Sequence, residues 1–219
     1  MLFNSPIFLF CFLPLLLVAC TLAAVKGSTK LAACLLFFSL VFYGAWDAWA
    51  LLLFCGTICV NYLFGLSLVE EQRKHKGRKR LLFLAIFLNL IPLLYFKYIG
   101  FLVDNVAHIF DWTVQFVPPS LPPGISFYTF IQIAWLVSVW RGQVVPEGFS
   151  RHALFSSFFP QVLSGPIVRY EQMGPQYDSM RGPDVAHLAL GFALFSVGLA
   201  KKVLLADSLA PQANAVFSA

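Results

Sequence analysis

The chain alternates long apolar runs with short polar breaks. The first run covers about 4–24 and is followed by the loop "KGSTK" at 26–30. Residues 31–66 are apolar almost throughout. As one helix they would reach roughly 54 Å, well beyond a hydrocarbon core of about 30 Å. They must therefore break. "YGAWDAW" at 43–49 offers the place, with Gly44, Asp47 and two tryptophans suited to a membrane interface. The pattern predicts two spans, near 31–44 and 48–66. The polar run "EEQRKHKGRKR" (70–80) follows, then a fourth span at 81–98. Residues 99–121 carry Asp104, Asp111 and Trp112 and predict a short interfacial helix before the turn "VPPSLPPG". A fifth span lies at 125–140 and closes on Arg141, and a last one at 186–205 ends on Lys201 and Lys202. Polar loops are expected around Arg151 and over 170–185. The expected fold class is all-α: a polytopic transmembrane helical bundle forming one membrane domain over 1–219, with no internal repeat.

One apolar segment does not fit this scheme. Residues 152–168 hold about 12 apolar positions between Arg151 and Arg169, which is short for a crossing, and two prolines interrupt them. Such a segment predicts a re-entrant or interfacial element. Irregular backbone at membrane depth survives only where it is buried in protein or lines a water-filled cavity. In "FFPQVLSGPIVRYEQM" (158–173), Pro160 and Pro166 leave carbonyls unpaired, Gln161 brings an amide and Arg169 a cation. The pattern asks for a polar cavity within the bundle.

Composition supports the membrane reading. The 219 residues are 59% hydrophobic and 11% charged, with a mean hydropathy of +0.79. Soluble domains carry about a quarter charged residues. The net charge of +5 is explained by topology. With the N-terminus outside, Lys26 and Lys30 fall on the cytoplasmic side, the "AWD" turn outside, and Arg73, Lys74, Lys76, Arg78, Lys79 and Arg80 inside, as the positive-inside rule requires. A nucleic-acid partner is not implied. The basic run could also attract an anionic cytoplasmic partner, although topology alone accounts for it. "LVAC" at 17–20 has the form of a lipoprotein cleavage site, but no cation precedes it, so the first run is expected to be retained as a helix. Cys11, Cys20, Cys34, Cys55 and Cys59 all lie in apolar segments and are expected to be small buried hydrophobes rather than metal ligands.

Candidate chemistry is sparse. Arg141 ends a span, where snorkelling explains it. Arg169, beyond Gly165 and Pro166, fits a structural or functional place in the cavity. Gln132 lies mid-span and needs an interhelical hydrogen bond, unless it lines a substrate route. His75, His108, His152 and His187 stand in loops or at the openings of segments, and none reads as a general base. No nucleophile-elbow, phosphate-loop or metalloprotease motif occurs.

Three blocks nevertheless carry a resemblance. "LPPGISFYTFIQIAWLVSVWRG" (121–142), "FFPQVLSGPIVRY" (158–170) and "GLAKKVLLADSLAP" (198–211) resemble, in order, stretches of the membrane-bound O-acyltransferases, in the branch of the alginate O-acetyltransferase and teichoic-acid D-alanyl transfer membrane proteins. "MLFNSPIFLF" is similar to the usual start of that branch. Pro123 stands where the family more often has leucine. The resemblance implies a bundle around a tunnel through a bacterial inner membrane, with the N-terminus extracytoplasmic. An acyl donor, acetyl-CoA or an acyl carrier, would enter from the cytoplasm, and a hydroxyl of a cell-surface polysaccharide such as alginate from outside. Extracytoplasmic acetylation proteins would be partners, and no bound cofactor or metal is expected. The family's catalytic histidine follows the third block, and this sequence ends at Ala219, eight residues after it. None of the four histidines matches it, so the base is expected beyond Ala219 and this chain alone is expected to be inactive. The chain then resembles the N-terminal part of such an enzyme: a fragment, a truncated gene product or an incomplete sequence. The resemblance marks Gln132, Pro160, Gln161, Gly165, Pro166 and Arg169 as cavity-lining or cavity-shaping positions. A transporter or export subunit would also use broken helices, but in two related halves, and no such pairing is visible. A non-catalytic membrane scaffold is the third possibility.

Overall fold

A computed structural model describes residues 3–74, 78–112, 116–163 and 165–217. They form an all-α bundle, with no strand among the described residues. A π-helical turn, Phe8–Phe12, leads into α1 (Leu13–Val25), followed by α2 (Ser28–Gly44), α3 (Ala48–Lys74), α4 (Arg78–Ile109) and α5 (Ile125–Arg141). The short helices α6 (Phe149–Ser157), α7 (Phe159–Val162) and α8 (Tyr170–Asp178) come next. α9 (Val185–Ala200), a second π segment (Lys201–Ala206) and α10 (Asp207–Phe217) complete the chain. Phe8–Val25, Ala48–Glu70, Arg78–Ile109 and Val185–Val216 are long and apolar enough to cross a membrane, and Ser28–Gly44 is a shorter apolar helix.

The break between α2 and α3 falls at the aromatic turn. Asp47 accepts a hydrogen bond from the Trp49 backbone N–H at 2.8 Å, and Trp46 and Trp49 stay exposed. α5 ends in a Schellman arrangement. Gly142 adopts φ +77°, its N–H donates to the Val139 carbonyl, and the Gln143 N–H donates to the Ser138 carbonyl. Arg78, at the start of α4, donates to the Val139 and Trp140 carbonyls and lies over the Trp140 ring. That fixes the beginning of α4 to the end of α5.

Three boundaries differ from the sequence reading. α4 does not stop near 98; it runs on to Ile109, so the stretch expected as a separate interfacial helix is its last turns. "GFLVDNVAHI" contains no breaker beyond Gly100. The stop comes at Asp111, which takes φ 51° while the Trp112 N–H donates to the Ala107 carbonyl at 2.9 Å. The segment 152–168 is divided. α6 ends at Ser157, capped by Phe158 (φ −51°, ψ 108°), and only the single turn of α7 follows. The polar loop expected at 170–185 opens with α8, whose Tyr170, Gly174 and Tyr177 are buried on one face. Tyr170 meets Phe155 of α6 at 5.1 Å between ring centroids. Arg151, paired with both Glu147 and Asp178, ties α6 to α8 at the surface.

α5 and α6 are central. Trp135, Leu136, Ile131 and Val139 of α5 are at most 2% exposed, and residues 152–157 of α6 are all buried. Trp135 lies on Gly65 of α3, where a Cβ would stand 2.2 Å from the indole. This is the small-residue contact that lets membrane helices approach closely. The outer helices turn Phe10, Leu15, Leu22, Leu52, Leu63 and Phe83 outward, each more than half exposed, as a lipid-facing surface requires. All five cysteines are free. Cys20 is buried as expected, whereas Cys11 and Cys59 are exposed on that apolar surface.

Candidate functional site

Two groups of buried polar side chains stand out among the described residues. At the first, Asn61, Asn89 and Gln132 stand near the middle of α3, α4 and α5 and are at most 6% exposed. Asn61 and Asn89 exchange amide hydrogen bonds of 2.8 and 2.7 Å. Asn61 also donates to the Gln132 Oε1, and Gln132 donates to the Thr57 hydroxyl at 3.3 Å. Thr57 Oγ1 donates to the Phe54 carbonyl, and Asn89 donates to the Ala85 carbonyl. Unpaired amides in hydrocarbon would each cost several kcal/mol, so the three helices satisfy one another. A groove of about 370 Å³ between α3 and α4 reaches this cluster through Thr57, Asn61 and Asn89. Pro92 borders the same groove. It has no N–H to offer the Leu88 carbonyl one turn back, which leaves an acceptor there.

The second place is where two of the sequence blocks meet. The turn before α5 holds Gly124 at φ +68°. A Cβ on it would lie 2.3 Å from the Val162 carbonyl oxygen. Tyr43 of α2 donates to the Pro123 carbonyl at 2.8 Å. Ser39, fully buried on α2, accepts a hydrogen bond from the Phe159 N–H at 3.2 Å, which satisfies a donor at the start of α7. Phe159 is held among Phe12, Phe42 and Phe8, with centroids 5.3–6.3 Å away. Gly165 folds back on Gln161: its N–H donates to the Gln161 carbonyl at 2.9 Å, and a Cβ there would stand 2.5 Å from the Gln161 Cα. Gln161 is 6% exposed, and its Nε2 meets no hydrogen-bond partner.

The six positions singled out in the sequence are thus distributed. Gln132 belongs to the amide cluster. Gln161 and Gly165 belong to the second place. Pro160, Pro166 and Arg169 are exposed, with Arg169 in extended backbone just ahead of α8.

His152 opens an apolar segment in the sequence, where it does not read as a general base. It is 2% exposed. Its ring lies 4.0 Å from Trp135 and 5.9 Å from Tyr62. Neither ring nitrogen has a hydrogen-bond partner, although the Ile58 carbonyl approaches the ring. Ser156, one turn along α6, is also buried with its hydroxyl unpartnered. Asn61 and Asn89 were missed as well. The available signal was one amide at the centre of each of three consecutive spans. No group of three or more metal-ligating side chains occurs among the described residues. The arrangement supplies amides, an imidazole and hydroxyls within a packed wall.

No family model and no solved structure matches this chain. Curated relatives do. A probable alginate O-acetylase AlgI of Pseudomonas aeruginosa is 36% identical over 223 residues, covering 100% of this chain and 42% of that protein. A peptidoglycan O-acetyltransferase of Helicobacter pylori is 32% identical over 240 residues, covering 96% of this chain and 45% of that protein. A probable alginate O-acetylase AlgI of Azotobacter vinelandii is 36% identical, covering 100% of this chain and 44% of that protein. The chain therefore spans less than half the length of these relatives.

Proposed function

We propose that this chain, a multi-pass membrane protein homologous over its length to the N-terminal part of membrane-bound O-acyltransferases of the alginate O-acetylase kind, builds the N-terminal wall of an enzyme that O-acetylates a cell-surface polysaccharide. The observation carrying this reading is the similarity, along nearly all of this chain, to proteins named as alginate O-acetylases and a peptidoglycan O-acetyltransferase. The interior contact between the 121–142 and 158–170 blocks supports it. In the complete enzyme a histidine following the third block would take the proton of the acceptor hydroxyl. That oxygen would then attack the acetyl carbonyl of acetyl-CoA or an acyl carrier, releasing the carrier thiol. The present chain orients and walls; none of its own histidines is assigned as the base.

We place the protein in a bacterial inner membrane with its N-terminus extracytoplasmic, the polysaccharide and helper proteins meeting it from outside. A reporter inserted at Gly77 should score cytoplasmic, and an external score would overturn the orientation. Function is tested by joining this chain to the remaining part of the Pseudomonas aeruginosa protein, in place of that protein's own N-terminal part. In a strain lacking the native protein, the hybrid should restore O-acetyl groups on alginate, whereas the 219-residue chain alone should transfer no label from acetyl-CoA. A stable, membrane-inserted hybrid that leaves alginate unacetylated would contradict the proposal.

A further inference from the structure

We propose that Cys20 and Cys34 form a dithiol across the α1–α2 hairpin, which a lipid-soluble organic hydroperoxide closes to a disulfide that ties the two helices together. α1 and α2 run antiparallel, joined by the short turn at Lys26 and Gly27. Aromatic contacts set their register. Phe12 meets both Phe38 and Phe42 with ring centroids 5.6 Å apart, and Phe8 meets Phe42 at 5.9 Å. Cys20 lies eight residues after Phe12, and Cys34 eight before Phe42. Each step is about 12 Å along its helix, so the two cysteines come level. Both belong to the cluster that holds these rings, Cys20 in its buried core and Cys34 packed against it. Their thiols stand within hydrogen-bonding reach of each other.

Depth and chemistry select the oxidant. Lys26 and Lys30 mark the polar end of the hairpin. Cys20 is six residues from Lys26, about 9 Å into the apolar layer. Exchange with aqueous disulfides runs through thiolates, and charges at that depth are costly. A neutral hydroperoxide avoids them. Cys34 is half-buried where Cys20 is buried, so its sulfur attacks the outer peroxide oxygen first. The O–O bond breaks, and the S–H proton passes to the departing oxygen, which leaves as an alcohol. The Cys20 sulfur then attacks the Cys34 sulfenic acid. An S–S bond forms, the S–O bond breaks, and the hydroxyl leaves with the Cys20 proton as water. Two thiols have lost two electrons to one hydroperoxide, and no charged species remains in the bundle. Cys55 and Cys59 supply the contrast. They stand one turn apart on α3, where Cβ atoms are about 5–6 Å apart, whereas a disulfide needs about 3.5–4.5 Å.

The full chain carrying Cys11→Ser, Cys55→Ser and Cys59→Ser is placed in nanodiscs and treated with cumene hydroperoxide. Its intact mass and its chymotryptic peptides are then read without reduction. The protein should lose two hydrogens and yield a linked peptide holding both Cys20 and Cys34. Adding Cys20→Ser should remove the link and leave a sulfenic acid on Cys34 that dimedone captures, which shows that the oxidant reaches the hairpin. A chain that keeps only Cys55 and Cys59 should gain oxygen and form no link. Two free thiols after treatment, oxygen on Cys34 beside a free Cys20, or linkage only between separate chains would each overturn the proposal.

Discussion

Gly124→Val should leave little folded protein. Two independent costs meet at this position. Its φ of +68° is a left-handed conformation, which costs a side-chain-bearing residue about 1–2 kcal/mol and is a true outlier for a β-branched one. The added Cβ would also stand 2.3 Å from the Val162 carbonyl oxygen, with the Leu163 Cα at 3.3 Å. Both neighbours are backbone atoms, so no rotamer change relieves the contact. α5 must then separate from the 158–170 block, or that block must lose the packing of Phe159 against the Phe8–Phe12 turn and α2. Gly56→Ala is the control, because open space surrounds that glycine. Detergent-extracted protein compared by size-exclusion fluorescence should show the Gly56 variant at the level of the unaltered chain and the Gly124 variant aggregated. A monodisperse Gly124→Val protein would refute the contact.

The second large effect lies in the amide cluster. Asn61→Leu removes the residue to which both Asn89 and Gln132 are bonded and leaves two buried amides short of partners. Each orphaned buried polar group costs about 1–3 kcal/mol in proteins generally. Single interhelical hydrogen bonds in membranes average about 0.6 kcal/mol, because the unfolded helices find other partners. A loss of about 2 kcal/mol follows. Replacing Asn61, Asn89 and Gln132 together by leucine should recover much of it, since no amide is then left unsatisfied. Thermal unfolding of the three single variants and the triple variant measures this. A triple variant as unstable as the sum of the singles would mean that the amides act independently and form no network.

How much of this was legible in the sequence depended on what the local pattern encodes. Hydropathy marked α1, α2, α3 and α5, and "YGAWDAW" gave away the α2–α3 break because Asp47 caps the next helix locally. "RG" at 141–142 announced the end of α5, since the Schellman turn uses only neighbouring backbone. α4 ran long because its stop is Asp111 in a left-handed conformation, a place where glycine is the expected residue. α6 and α8 escaped because they are short and carry Arg151 and Asp178 at the surface, while buried residues of α6 find partners far along the chain. The burial of His152 is a fact of three-dimensional packing. Only the meeting of α6 with Trp135 and Tyr62 seals it. Gln132 was noticed for the right physical reason, an amide in hydrocarbon, yet its partners lie 71 and 75 residues away. Arg169, given a structural or functional place in the cavity by the sequence, stands exposed in extended backbone just ahead of α8.

The account depends on an interior wall in which irregular backbone after α6 faces protein and not acyl tails. Gln161→Cys and Pro160→Cys, each in a background with the five native cysteines replaced, separate the two sides of that wall. Neighbours in sequence, they stand buried and exposed respectively. With a membrane-soluble maleimide, Pro160→Cys should label rapidly and Gln161→Cys at least about tenfold more slowly, as expected where opening costs about 1.4 kcal/mol or more. Equal labelling of the two positions in a folded protein would place Gln161 against lipid and remove the wall.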